Sequence, residues 1–138
     1  NRPTAEQTAL CEYGGALGIA FQLVDDALDY AADQAALGKT VGDDFREGKI
    51  TLPVLLAFAR GSEEERGFWR RVLEEGDQQD ADLATAMALM TKYDTIGETI
   101  ARARRYGEKA ISALDVFPDS LEHRALVEVV RFCIDRAR

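Results

Sequence analysis

Apolar residues recur along this chain at steps of three and four, and nowhere do polar and apolar positions alternate as in a half-buried strand. The first run opens behind Pro3, where Thr4-Ala5-Glu6-Gln7 has the form of a capping box. It predicts a helix from Thr4 to about Ala32, roughly 40 Å long at helical rise. Glycines at 38, 42 and 48 enclose charged residues and predict a loop over Gly38–Gly48. A helix is expected from about Thr51, with Pro53 tolerated in its first turn. Gly61 stops it, and Ser62-Glu63-Glu64-Glu65 is a second capping box, opening a helix to about Glu75. Gly76–Asp80 reads as a polar linker and Ala81–Lys92 as a further helix. Thr95-Ile96-Gly97-Glu98 then caps a long helix whose stripe is Ile96, Ile100, Ala103, Gly107, Ala110, Ile111 and Leu114. Asp115–Asp119 turns the chain, and Ser120 caps a last helix. The expected fold is all-α, a helical bundle, with residues 1–138 forming part of a single domain.

Composition narrows the function classes. Of 138 residues, 46% are hydrophobic and 30% charged, a globular balance. The net charge of −8 argues against a nucleic-acid surface, which needs clustered Lys and Arg. The longest uncharged run, Tyr13–Val24, has 12 residues, short of the ~18–20 a membrane span requires. Cys11 and Cys133 form neither a metal-binding pair nor a disulfide framework, and both read as small core hydrophobes. The opening residues do not read as a signal peptide, so a reducing, cytoplasmic setting is expected. The chain starts at Asn1 rather than Met, which is the expectation for a piece of something longer.

Chemistry concentrates in Gly18–Tyr30. On the predicted helix Asp25 and Asp29 are four residues apart and Asp26 and Asp29 three apart, so three carboxylates share one sector. Acids on a helix ordinarily make a solvated face. Here the neighbours are Leu, Val, Ala and Phe, and three poor helix formers in one turn are locally frustrated. Gln22 lies one turn earlier and extends the polar stripe with a neutral donor and acceptor. Oxygen-only ligands at this density suit Mg²⁺, a hard cation that bridges carboxylates to substrate phosphates. Lys39 and Lys49 frame the following loop and suit phosphate oxygens as point charges. Asp43, Asp44, Arg46 and Glu47 read as loop charges that pair with one another or with solvent.

Phe21-Gln22-x-x-Asp25-Asp26-x-x-Asp29, followed by Gly38-Lys39-Thr40-x-Gly42-Asp43-Asp44-Phe45-Arg46-Glu47-Gly48-Lys49-Ile50-Thr51-Leu52-Pro53, resembles the second aspartate-rich region of the trans-isoprenyl diphosphate synthases. The similarity is greatest to the long-chain octaprenyl and decaprenyl type that make quinone side chains. The resemblance implies an isoprenoid-synthase-type helical fold and a Mg²⁺-dependent prenyl transfer from an allylic diphosphate to isopentenyl diphosphate. It implies that Asp25 and Asp29 hold Mg²⁺ against the diphosphate, with Asp26 ligating directly or through water. By the same resemblance Gln22 hydrogen-bonds near the diphosphate or reacting centre, Lys39 and Lys49 grip the allylic diphosphate, and Asp44 supports the site from behind. A homodimer is implied for the intact protein.

The family's first aspartate-rich motif, its paired arginines and its upstream Lys-Thr motif do not precede Asp25. The Arg-Arg pairs present, Arg70-Arg71 and Arg104-Arg105, lie downstream of it. The chain therefore reads as roughly the C-terminal two-fifths of such an enzyme, expected to be inactive alone. A second reading, from another class, is a non-catalytic regulatory helical subunit that partners a prenyl synthase. A terpene-cyclising or head-to-head enzyme is a third; the Gly38–Pro53 pattern favours chain elongation. Of the other candidates, His123 is expected at the surface, Gly14 and Gly18 at a close helix contact or bend, Phe68 and Trp69 at the core edge, and Tyr30 at the border of the site.

Overall fold

The computed structural model describes residues 4–31 and 41–136. Among them every regular element is helical: α1 Thr4–Leu28, α2 Asp43–Arg46, α3 Leu52–Arg60, α4 Glu63–Trp69, α5 Asp82–Lys92, α6 Thr95–Ala113 and α7 Leu121–Asp135. None is long and apolar enough to cross a membrane. The chain divides into two compact units, residues 26–99 and residues 1–25 with 100–138, the first boundary falling between Asp25 and Asp26.

In the terminal unit α1 buries Ala9, Tyr13, Ala16, Ala20 and Val24, a stripe at three- and four-residue steps. Tyr13 and Ala16 share a core with Ala110, Leu114 and Val130. The Tyr13 hydroxyl donates to the Leu126 carbonyl at 2.8 Å, so the one polar atom of that stripe is partnered. Ser120 caps α7 as expected, its Oγ accepting the His123 N–H at 3.1 Å. His123 itself is half-buried rather than fully at the surface. Cys133 is buried, but Cys11 is exposed, because it falls outside the α1 stripe. Gly14 and Gly18 also miss the stripe; a Cβ at either would meet nothing within 4 Å among the described residues, so the expected close contact is not made there.

The central unit packs Tyr30, Phe45, Val54, Ala57, Trp69, Val72, Ala86 and Met90 together. Trp69, expected at the core edge, lies at the centre, edge-on to Phe45 (6.4 Å between ring centroids) and Phe68 (5.2 Å). Pro53 sits in the first turn of α3, and Ser62 and Glu65 exchange the reciprocal bonds of a capping box at the start of α4. The helix expected to continue to Glu75 instead widens into a π turn at Arg70–Glu74. From within that turn Arg71 grips Asp82 with both terminal nitrogens at 3.0 Å, and beyond it Gln78 donates to the Phe45 and Val72 carbonyls. Thr95 is not the cap of α6. It is its buried first residue and donates back to the Met90 carbonyl at 3.5 Å, while Asp94, at φ 52°, makes the turn. Glu98, the other half of the expected box, reaches Arg60 at 2.6 Å instead.

Candidate functional site

The predicted acids fall at the end of α1. The helix stops at Leu28, four residues earlier than the sequence suggests, and closes with tight turns from Tyr30 N–H to Ala27 and from Ala31 N–H to Leu28. Asp25 and Asp26 therefore lie on the helix, and Asp29 lies just past its last residue. Their environments differ. Gln22 and Asp25 are exposed, Asp26 is buried and Asp29 half-buried, since successive helical side chains point about 100° apart. The single polar sector expected from the spacing is thus split between faces of different exposure.

Asp29 is tied to the segment that follows. Its carbonyl accepts the Gly42 N–H at 2.9 Å and its Oδ2 accepts the Asp44 N–H at 3.1 Å. Gly42 has φ +80°, a left-handed backbone that favours glycine, and a Cβ there would also push the Leu83 side chain aside. The loop expected over Gly38–Gly48 contains the short helix α2, seated by Phe45 in the core. Asp44 then holds Lys49 twice: its carbonyl accepts the Lys49 N–H at 2.8 Å, and its Oδ1 lies 3.6 Å from Nζ. Glu47 meets the same ammonium at 3.2 Å, and Arg46 pairs with Asp43 at 3.2 Å, the pairing expected for loop charges. One potential metal ligand and one potential phosphate ligand are therefore joined through Asp44. Lys39 lies outside the described residues.

Electrostatics reflect this crowding. Burial pushes the Asp29 carboxyl above the usual carboxylate range, and the Asp44 N–H draws it partly back. Burial, with Asp29, Asp44 and Asp26 nearby, pushes the Tyr30 hydroxyl up. That hydroxyl has no hydrogen-bond partner among the described residues, which places Tyr30 beside the acids as a largely core side chain. Hydrogen bonding to Glu47 raises the Lys49 ammonium, keeping it charged.

Asp25 has a partner that no sequence signal pointed to. Arg136, 111 residues away, donates Nη2 to its Oδ1 at 2.9 Å. The same guanidinium lies over the Phe21 ring, 4.8 Å from its centroid. Among the described residues no group of three or more acidic, His or Cys side chains could by itself hold a metal ion. The oxygen-only donors fit instead a hard cation held by one or two carboxylates, with water and phosphate oxygens completing its shell.

Comparisons with known proteins concern the chain as a whole. Residues 1–90 match the polyprenyl synthetase family. The chain is 40% identical over 132 residues to the octaprenyl diphosphate synthase of Haemophilus influenzae, covering 96% of this chain and 40% of that protein. It is 41% identical over 133 residues to that of Escherichia coli, covering 96% and 41%. Among solved structures, the decaprenyl diphosphate synthase of Rhodobacter capsulatus superposes with a TM-score of 0.87 at 46% identity, covering 99% of this chain and 41% of that one. The polyprenyl synthase of Caulobacter crescentus, solved with calcium and isoprenyl diphosphate, gives 0.87 at 43% identity, covering 99% and 41%. The chain thus spans about two-fifths of the length of these relatives. An all-α chain with this motif, matched by the family over 90 residues and by its synthases over nearly its whole length, belongs to the polyprenyl synthetase family.

Proposed function

We propose that this chain is the C-terminal portion, residues 1–138, of a single all-α domain in a Mg²⁺-dependent polyprenyl diphosphate synthase. That enzyme would condense an allylic diphosphate with isopentenyl diphosphate to give a trans-polyprenyl diphosphate, as a homodimer in the cytoplasm. The observation that carries this reading is the Asp29–Asp44–Lys49 connection. Through Asp44 it links a carboxylate suited to a cation with an ammonium suited to a diphosphate.

The reaction breaks the allylic C–O bond, the departing diphosphate taking the electron pair. The isopentenyl double bond then attacks the allylic carbon, and a proton is lost to restore an alkene. Bound Mg²⁺ would supply positive charge to the leaving diphosphate. On the protein side, Asp25 and Asp29 would hold the cation, with Asp26 ligating directly or through water. Lys49 and Lys39 would bind the diphosphate oxygens and stabilise negative charge as it develops. Gln22, exposed on α1, would donate near the diphosphate or reacting carbon. Asp44 would hold Lys49 toward its ligand, and a diphosphate oxygen would replace Glu47 at the ammonium. The family's first aspartate-rich motif does not precede Asp25, so the isolated 138-residue chain is expected to give no steady turnover.

In the intact synthase, Asp25→Ala or Lys49→Ala should each lower kcat/KM for the allylic diphosphate by about 10²–10³. Unchanged turnover would remove that residue from the site. The coding sequence upstream of Asn1 separates this reading from a regulatory subunit: an aspartate-rich motif followed by paired arginines supports the enzyme.

A further inference from the structure

The chemistry above gives no task to Phe21 or to Arg136, yet the two meet at Asp25. Arg136 closes α7 and comes from the opposite end of the sequence, so its contact with Asp25 owes nothing to local helix geometry. Phe21 precedes Asp25 by one turn of α1, which sets the ring and the carboxylate side by side at a spacing one guanidinium can span. Arg136 uses both, its Cζ over the ring and Nη2 on Oδ1. An exposed Arg–Asp pair ordinarily holds neither side chain firmly. Here Asp25 is 53% exposed but Arg136 only 28%, because the aromatic face covers the guanidinium and restrains it. A carboxylate offers about four lone-pair positions over two oxygens. The Arg136 bond engages Oδ1 and, among the described residues, leaves Oδ2 available.

We propose that Arg136, seated on Phe21, is a positioning residue that fixes the Asp25 carboxylate so that Oδ2 is presented to the divalent cation. The inference rests on the reading that Asp25 holds such a cation. Its physical basis is that a carboxylate already oriented by an outer hydrogen bond loses less rotamer freedom when it ligates, which is how outer partners tune metal affinity. It gives the last turn of the chain a part in the site and accounts for the aromatic residue that opens the motif.

The test is equilibrium binding of Mn²⁺ to the intact synthase by electron paramagnetic resonance, with an unreactive thio analogue of an allylic diphosphate present. Arg136→Gln is expected to weaken Mn²⁺ binding about tenfold. The Mg²⁺ concentration for half-maximal turnover should rise by a similar factor, with KM for isopentenyl diphosphate and the thermal midpoint unchanged. Arg136→Lys should recover part of the loss, since it keeps the charge without the planar fork. Phe21→Leu should shift binding in the same direction. Asp25→Asn combined with Arg136→Gln should bind no more weakly than Asp25→Asn alone. If Arg136→Gln binds like the wild type while Asp25→Asn is weakened, this inference fails and the cation reading stands. Tighter binding in Arg136→Gln also overturns it, by making Arg136 a competitor of the cation. Wild-type binding by Asp25→Asn removes both readings. Should Arg136→Gln not fold, the Lys and Phe21 variants decide.

Discussion

At the scale of single residues, the side chains that set the local chemistry are those held by several partners at once. Glu65 accepts the Ser62 N–H, the Tyr93 hydroxyl and the Lys92 ammonium, the last at 2.7 Å. Lys92 first, then Tyr93 and Ser62, hold its carboxyl down to about 2 from an ordinary 4.5. A depressed carboxylate stabilises the fold above its unfolded value and loses that effect as it protonates. The Glu65 contribution should thus be complete above pH 4.5 and vanish as pH falls toward about 2. Melting wild type and Glu65→Gln between pH 7 and pH 2 checks this: the gap in midpoint should narrow through that window, and a constant gap would refute the assignment. Among the site residues, the motif gave identity and spacing but not environment. It set Asp25, Asp26 and Asp29 in one sector, whereas burial separates Asp26 from Asp25 and the end of α1 releases Asp29 into a turn. Arg136 was illegible for a plain reason: a contact across 111 residues is made by tertiary packing and leaves no local pattern.

Elements were legible where their signals are local. The Ser62–Glu65 box needs four consecutive residues, and all its bonds form; Ser120 likewise caps α7. Ser62→Ala should cost about 1 kcal/mol, read as a lower denaturant midpoint at unchanged slope. The same rule failed at Thr95, where the motif was present but the core took the threonine and Asp94 made the turn. Tertiary burial outweighs a cap of that size. Seating Phe45 in the core likewise turned part of the expected Gly38–Gly48 loop into α2, an outcome no glycine count predicts. The small residues of α6 were legible as a stripe, and at Gly107 that stripe packs closely on α7. A Cβ there would lie 3.1–3.2 Å from Ile134 and Val130 of α7. Gly107→Ala should destabilise by about 1–3 kcal/mol through overpacking, despite alanine's better helix propensity. An unchanged or higher midpoint would show that α7 gives way freely.

For the molecule as a whole, the informative surface is the apolar one. Leu10, Ile19 and Phe21 on α1 and Leu121, Val129 and Phe132 on α7 are exposed, Leu121 and Phe132 by more than 70%. Ile50 and Leu55, exposed as well, border an apolar groove with Val54, Phe58, Trp69 and Leu73. Single exposed apolar side chains are ordinary, but repeated ones along two helices favour association. The relatives that match this chain are about two and a half times its length, since it covers 40–41% of them. In the proposed synthase the remaining three-fifths would be available to cover those faces. Expressed alone, the 138-residue chain should therefore bind a hydrophobic dye such as anilinonaphthalene sulfonate and self-associate as its concentration rises. The intact synthase should bind little dye and keep one oligomeric size. Sedimentation velocity across a hundredfold concentration range, with dye fluorescence on the same samples, distinguishes the two. A dye-silent, monomeric isolated chain would mean that these side chains need no cover, and the chain would then have to be treated as a self-sufficient domain.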